Sequence, residues 1–107
     1  MSKQPQSDVL IENFLPGKAE ETFGLGYESL HKINPRLIYC SISGYGPTGP
    51  YAARGGYDVI VQGVGGLMSV TGPAGQNNPC KTGTALVDMS AGESAPCVLI
   101  SGKHPCE

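Results

Sequence analysis

The residue best placed for chemistry is an aspartate, Asp88, near the carboxyl end of the chain. It follows a short apolar run, Thr82 to Val87, and precedes a Ser-Ala-Gly turn. A carboxylate at such a predicted helix start is stabilised in its anionic form by the helix dipole. It could act as a nucleophile or as an acid or base. The same position is typical of a helix N-cap, and spacing alone favours that capping role.

Polar and aromatic side chains also stand at the ends of other predicted elements. Asn13 and Phe14 follow the first predicted strand, and ligands of open α/β sheets bind at the carboxyl ends of strands. A turn asparagine and a core phenylalanine fit these two positions equally well. Tyr57 begins a predicted helix, where the pattern favours a buried ring with a satisfied hydroxyl.

Two familiar kinds of site are not supported by the spacing. The four cysteines and two histidines complete no zinc-ligand pattern, so we expect no metal. Gly44, Gly46 and Gly49 form a literal GxGxxG motif after a strand. A dinucleotide fingerprint must open a helix, which Pro47 and Pro50 prevent. This motif therefore predicts a tight connecting loop.

Composition limits the partners and the cell compartment. The net charge is −2 and only seven residues are Lys or Arg, scattered along the chain, which argues against nucleic acid. No apolar run reaches the ~18 residues of a membrane span, so we expect no membrane partner. No targeting segment is visible at the start. The cysteines fit a reduced, intracellular setting.

The first half of the chain predicts a βαβ unit. Residues 8–12 and 36–43 form apolar runs typical of buried strands. Between them, residues 18–23 predict a short helical turn. A second helix follows, with Tyr27 and Ile33 on its apolar face, and Asn34-Pro35 ends it. Two strands joined this way form parallel sheet, so the fold class is α/β.

The second half predicts a helix, a loop and a short extended segment leading to Asp88. Apolar residues from Tyr57 to Met68 fall on one helix face, weakened by three glycines. Residues 71–79 predict a surface loop, and residues 82–87 an extended segment. The sequence beyond Gly92 has no helical period. We therefore expect a disordered stretch at 1–7, a partial domain at 8–92, and an irregular, divergent tail at 93–107.

Four stretches together carry a resemblance to a known family: DVLIENFLPG, GLGYESLHKINPRLIYCSISGYGPTGP, GGYDVIVQGVGGLMSVTG and TGTALVDMSAG. In this order and spacing they resemble the family III CoA-transferases, also called the formyl-CoA transferase/carnitine CoA-transferase family. The succinate–hydroxymethylglutarate CoA-transferase type is the most similar subgroup. The resemblance covers Asp8 to Gly92 and implies a fragment of that fold.

The resemblance implies a role for each matching residue. Asp88 matches the catalytic aspartate, which exchanges CoA between an acyl-CoA and a free acid through an aspartyl anhydride and an aspartyl-CoA thioester. The positions matching the CoA site are Asn13, Phe14 and Leu15. Tyr57 matches a tyrosine facing the active site, and Asp58 adjoins it among the CoA-binding residues. CoA is a substrate, and no permanently bound cofactor is implied.

Two other functions stay open beside CoA transfer. The related α-methylacyl-CoA racemases carry a histidine where this chain has Tyr57, which favours transfer over racemisation. A non-catalytic truncated product is the second alternative. Full family members form interlocked homodimers, so we expect the isolated chain to be inactive. The compartment implied is mitochondrial for the succinate–hydroxymethylglutarate type and cytoplasmic otherwise.

Overall fold

The computed structural model describes residues 7–75 and 78–103, and the side chains of residues 96 and 98–103 are not described. The predictions for residues 1–6, for Gln76 and Asn77 in the surface loop and for residues 104–107 lie outside the described residues. The helices and strands are β1 (Val9–Glu12), α1 (Lys18–Phe23), α2 (Tyr27–Ile33), β2 (Ile38–Ser41), α3 (Asp58–Val64), a 3₁₀ helix (Leu67–Val70) and α4 (Leu86–Lys103).

The two strands confirm the predicted βαβ unit. They pair in parallel, with Val9 opposite Ile38 and Glu12 opposite Ser41. Backbone hydrogen bonds continue the pairing at both ends. The N–H of Ile38 donates to the carbonyl of Asp8, and the N–H of Ile42 donates to that of Glu12, each at 2.9 Å. Both strands are shorter than predicted, at four residues each.

The crossover contains both predicted helices, and one side chain ties them together. Glu20 on α1 accepts hydrogen bonds from the N–H of Gly26 at 2.7 Å and the hydroxyl of Ser29 at 2.7 Å. These bonds hold the start of α2 against α1, as an N-cap side chain would. Asn34 ends α2 in an extended conformation, as the Asn-Pro pair predicts.

The helix predicted from Tyr57 to Met68 is wrong in its length. Helix α3 ends at Val64, and Gly66 takes a left-handed φ of 80° before the 3₁₀ helix. A left-handed residue interrupts α-helical hydrogen bonding, and glycine adopts that conformation without steric cost. The apolar face is also not buried, since Ile60 is 49% and Val64 62% exposed.

Helix α4 corrects two further predictions. Residues 82–87 do not form an extended strand-like segment, because residues 83 and 84 form a bend and α4 already begins at Leu86. Residues 93–103 are helical and not irregular. A short apolar run does not distinguish a strand from a buried helix start. The sequence pattern did not predict that the helix continues beyond Gly92, because small residues and not large apolar ones face the sheet. Ala95 is 7% exposed, and α4 packs on β2.

The described residues bury few side chains. Among them only Ala19, Ala95 and Gln62 are buried. The radius of gyration is 17.8 Å, against about 13 Å for a compact chain of this length. The packing that does exist brings α3, α4 and β2 together, and these elements position the site.

Candidate active site

A cavity of about 630 Å³ lies where the carboxyl ends of the strands meet the starts of α3 and α4. Its wall combines the loop after β1, the loop after β2, the residues before α3 and the first turns of α4. The predicted site residues in this wall are Asn13, Phe14, Leu15, Tyr57 and Asp88. Five residues from three segments that are distant in sequence therefore share one cavity, at the sheet edge where ligands of α/β proteins bind.

Asp88 is the third residue of α4 and is exposed. Among the described residues, no hydrogen bond engages its carboxylate. Its place in the first turn puts the anion where the helix dipole is favourable. The capping role that spacing favoured is wrong for this residue, because Asp88 lies inside the helix and a different aspartate caps it.

The cap of α4 comes from Asp58, the first residue of α3. Its Oδ1 accepts hydrogen bonds from the N–H of Val87 at 2.8 Å and of Asp88 at 3.3 Å. Ala85 precedes the helix and its carbonyl accepts from Met89 at 3.0 Å, but alanine has no side-chain acceptor for the first turn. Asp58 fills that role from another helix. It does not line the cavity with the other predicted CoA-binding residues.

Tyr57 stands immediately before α3, with φ −118° and ψ 142°. Its side chain is 74% exposed at the cavity wall, so the prediction of a buried ring is wrong. Val61, one turn further along α3, lines the same cavity, whereas Gln62 beside it is buried.

The loop after β1 presents Asn13, Phe14 and Leu15. The N–H of Phe14 donates to Oε2 of Glu12 at 2.8 Å, which turns the chain sharply at the end of the strand. The Phe14 ring contacts Phe23 at a centroid distance of 5.5 Å yet remains 45% exposed. It is therefore not the core phenylalanine that the sequence allowed.

Gly44, the first glycine of the GxGxxG motif, and Gly56, which sequence reasoning did not single out, fix the wall between β2 and α3. A Cβ on Gly44 would lie 2.5 Å from the Cα of Gly56, so the two backbones are in direct contact. The GxGxxG stretch itself forms turns, and the next helix begins only at Asp58, as the tight-loop prediction requires. No local pattern reveals the Gly44–Gly56 contact, because it depends on the fold.

Arg54 supplies positive charge in the cavity wall. Its guanidinium lies 4.3 Å from the centroid of the Tyr51 ring, a stacking that holds the flat cation in place. The sequence showed only a lone basic residue in a loop. Its position beside the cavity makes it a candidate contact for an anionic substrate group.

The groups with shifted pKa values lie elsewhere. The Ser29 hydroxyl, and then the Gly26 N–H, lower the pKa of Glu20, and burial raises the pKa of Tyr39. Both line a second cavity of about 560 Å³ between α1, β2 and α4. The described residues bring no three His, Cys, Asp or Glu side chains into a metal-holding group. None of the helices in residues 7–75 and 78–103 is long and apolar enough to cross a bilayer.

Comparison with known proteins identifies the family. The family model described as CoA-transferase family III matches residues 5–99. A succinyl-CoA:glutarate CoA-transferase of Mus musculus is 47% identical over 95 residues, which are 89% of this chain and 21% of that protein. A succinate–glutarate CoA-transferase of Agrobacterium fabrum is 57% identical over 88 residues, 80% of this chain and 21% of that protein.

Solved structures share the fold. A CAIB/BAIF family protein from Brucella suis superimposes with a TM-score of 0.75 at 47% identity, covering 90% of this chain and 26% of that one. A hypothetical protein from Mycobacterium tuberculosis gives 0.78 at 33% identity, covering 89% and 26%. The chain thus spans about a fifth of the curated relatives it matches. With the family match extending over residues 5–99, this chain belongs to CoA-transferase family III.

Proposed function

We propose that this chain supplies the nucleophilic carboxylate of a CoA-transferase, and that the carboxylate is Asp88. The observation that carries the proposal is its position. Among the described residues Asp88 has a carboxylate without a hydrogen bond, in the first turn of α4, at the wall of a cavity shared with Tyr57 and Asn13. An ionised carboxylate of that kind is able to attack a thioester.

The proposed reaction has four balanced steps. An Asp88 oxygen attacks the acyl-CoA carbonyl carbon, the C–S bond breaks, and a mixed anhydride and CoA thiolate result. The thiolate attacks the aspartyl carbonyl and releases the donor acid, leaving an aspartyl-CoA thioester. The acceptor carboxylate displaces the thiolate to form a second anhydride. The thiolate then attacks the acceptor's carbonyl carbon in this second anhydride, which gives the new acyl-CoA and frees Asp88. The donor and acceptor acyl groups are similar in energy, and the covalent intermediates divide the barrier into smaller ones.

For the other predicted residues we propose substrate contacts. Asn13, Phe14 and Leu15 border the acyl-CoA, and Tyr57 faces the reacting carbonyl. The acids are proposed to be small dicarboxylic acids. Support comes from the names of the relatives, which act on succinyl-CoA and glutarate, and from Arg54 in the wall, whose guanidinium suits a second carboxylate.

We further propose that the isolated chain does not complete the transfer, and that the parent protein is an interlocked homodimer. Exposed apolar side chains line the site, among them Leu15 at 40% and Phe14 at 45%. A site that is open in this way admits water, and water hydrolyses an anhydride. For the parent protein we propose a mitochondrial location if it is of the succinate–hydroxymethylglutarate type, and a cytoplasmic one otherwise.

Trapping with hydroxylamine tests the nucleophile. The full chain is incubated with succinyl-CoA and hydroxylamine, and peptides are read by mass spectrometry. We expect a hydroxamate at Asp88 that is lost in Asp88→Asn, with no hydroxamate at Asp8, an exposed aspartate outside the cavity. A folded sample with Asp88 unmodified would count against catalysis by this chain, and modification of Asp8 at the same rate would show unselective chemistry.

The racemase alternative makes a different prediction. Racemisation requires loss of the α-proton, so a 2-methylacyl-CoA in D₂O would take up deuterium at that carbon. The described part of the cavity wall includes no histidine, and we expect no uptake. Deuterium incorporation that depends on Asp88 would favour the racemase.

A further inference from the structure

Gln62 is the most buried side chain of the described residues, at 1% exposed. It is one turn beyond Asp58 on α3, on the side that packs against the start of α4. A buried amide is costly unless its donors and acceptor are all used. Its partners therefore indicate why the chain keeps a polar group there.

Each end of the Gln62 amide has a defined partner. Nε2 donates to Oδ2 of Asp58 at 2.5 Å, and it lies 3.5 Å from the carbonyl oxygen of Thr84. Oε1 accepts from the N–H of Thr82 at 2.9 Å. The side chain thus joins α3 to the segment that immediately precedes α4.

Asp58 is held by Gln62 through one oxygen and holds α4 through the other. Oδ2 takes the Gln62 bond, while Oδ1 accepts from the N–H groups of Val87 and Asp88. We propose that Gln62 is a positioning residue for Asp88, and that it acts by fixing Asp58, whose carboxylate sets the first turn of α4. The inference rests on the proposed function only where it treats Asp88 as the nucleophile.

Neither residue is part of the cavity wall, so their effect on substrate passes through the residues they hold that do line it, Val87 and Asp88. The backbone N–H of Asp88 is itself one of the groups held. Displacement of a nucleophile by about 1 Å can cost about 100-fold in rate. A rigid hydrogen-bonded link between two helices is the kind of support that prevents such a displacement.

The order of donors and acceptors makes the link testable. Asp58→Asn replaces one carboxylate oxygen by an NH₂ group, which is a donor. In one orientation of the amide this group meets the donor Nε2 of Gln62, and in the other it meets the N–H of Val87. Gln62→Glu places two carboxylates against each other. The double variant restores the hydrogen bond between positions 58 and 62 with the same net charge, and it gives up the 3.5 Å contact from position 62 to the Thr84 carbonyl. The amide at position 58 then donates to the carboxylate at position 62, which still accepts from Thr82, while Val87 keeps its acceptor.

The first readout is amide hydrogen exchange in the full chain, followed by NMR. We expect each single variant to lower the protection of the Val87 and Asp88 amides by about tenfold, the scale of one lost hydrogen bond. The double variant should recover most of it. Asp8→Asn is the control for the change of charge, and the Ile38 and Ile42 amides report the sheet. Single variants that unfold while the double variant folds would also support the link.

The second readout is the rate of hydroxamate formation at Asp88, measured with the affinity for CoA. We expect the rate to fall in the single variants and to recover in the double variant, with the CoA affinity unchanged. A wild-type chain that folds but leaves Asp88 unmodified would count against the proposed function alone, since the amide readout still decides the link.

Two outcomes overturn the inference. One is unchanged protection of the Val87 and Asp88 amides in both single variants. The other is a double variant no better than the singles in protection, folding or rate, because recovery depends on complementary donors and acceptors.

Discussion

Asp58, the first residue of α3, and Asp88, in the first turn of α4, are both close to the start of α4, but their surroundings differ. Both oxygens of Asp58 are engaged by the chain itself, one by Gln62 and one by backbone N–H groups. Asp88 lines the cavity instead, and among the described residues no hydrogen bond engages its carboxylate. Asp58 therefore stabilises the helix start, and Asp88 is the carboxylate that we propose for the substrate.

At the scale of single residues, we predict that Gly44→Ala destabilises the chain. The added Cβ would lie 2.5 Å from the Gly56 Cα, a clash with backbone that can be relieved only by moving the loop. The expected loss is about 1–3 kcal/mol in the free energy of unfolding, measured by urea titration. Gly55→Ala is the matched control, because a Cβ there meets nothing within 4 Å. It should change the free energy by less than about 1 kcal/mol. Equal effects of the two substitutions would contradict the close approach.

A second prediction at this scale concerns Tyr57. With the ring 74% exposed, Tyr57→Phe should change the free energy of unfolding by no more than about 0.5 kcal/mol. The rate of hydroxamate formation at Asp88 should nevertheless fall, because the proposed role places the hydroxyl at the reacting carbonyl. Tyr51→Phe is the control outside the cavity wall. A destabilised Tyr57→Phe variant would indicate that the hydroxyl makes a structural hydrogen bond, because the substitution keeps the ring.

Among the elements, α1 and α2 are joined by a carboxylate, and this gives the chain a pH dependence. The hydrogen bond from Ser29, and then that from Gly26, lower the pKa of Glu20 from its ordinary value of 4.5. A lowered folded-state pKa contributes stability that is present above the unfolded value and is lost as pH falls through the folded value. The window therefore lies at and below about pH 4.5.

We accordingly predict that Glu20→Gln removes part of the acid sensitivity. Wild type should lose free energy of unfolding as the pH is lowered through that window, and the variant should lose less. Denaturant titration at several pH values measures both. Glu28→Gln, an exposed glutamate of α2 without a hydrogen bond among the described residues, serves as the control. Parallel pH curves for wild type and Glu20→Gln would contradict the prediction.

As a whole molecule, the described chain is extended and leaves large apolar side chains exposed. Val70 is 82% and Ile33 64% exposed, and the extents are 66 × 33 × 24 Å. Since apolar burial provides most of the stabilisation of a fold, the βαβ unit and the α3–α4 contact have little to support them. Exposed apolar area of this kind also favours association.

We therefore predict a shallow unfolding transition for the isolated chain. The urea m-value should fall below the ~1–3 kcal/mol/M usual for small domains, because little surface is newly exposed on unfolding. Concentration-dependent association should appear in sedimentation. A monomeric sample with a steep, cooperative transition would show that the chain packs more completely than its surface indicates.

The sequence by itself determined the parallel βαβ unit, the family, and the candidates Asp88, Tyr57, Asn13, Phe14 and Leu15. Strand runs, the Asn-Pro stop and the family motifs are local patterns, which can be read without a fold.

The tertiary structure decided what depends on distant contacts. Asp58, rather than Asp88, caps α4 across 29 residues of sequence, and Gly44 meets Gly56. The sequence did not predict the full length of α4, because this helix packs on β2 through alanine and not through large apolar residues. Alanines give only a weak helical periodicity, so their packing role is visible only in the fold. Such contacts are set by the packing of α3, α4 and the sheet, which no single segment encodes.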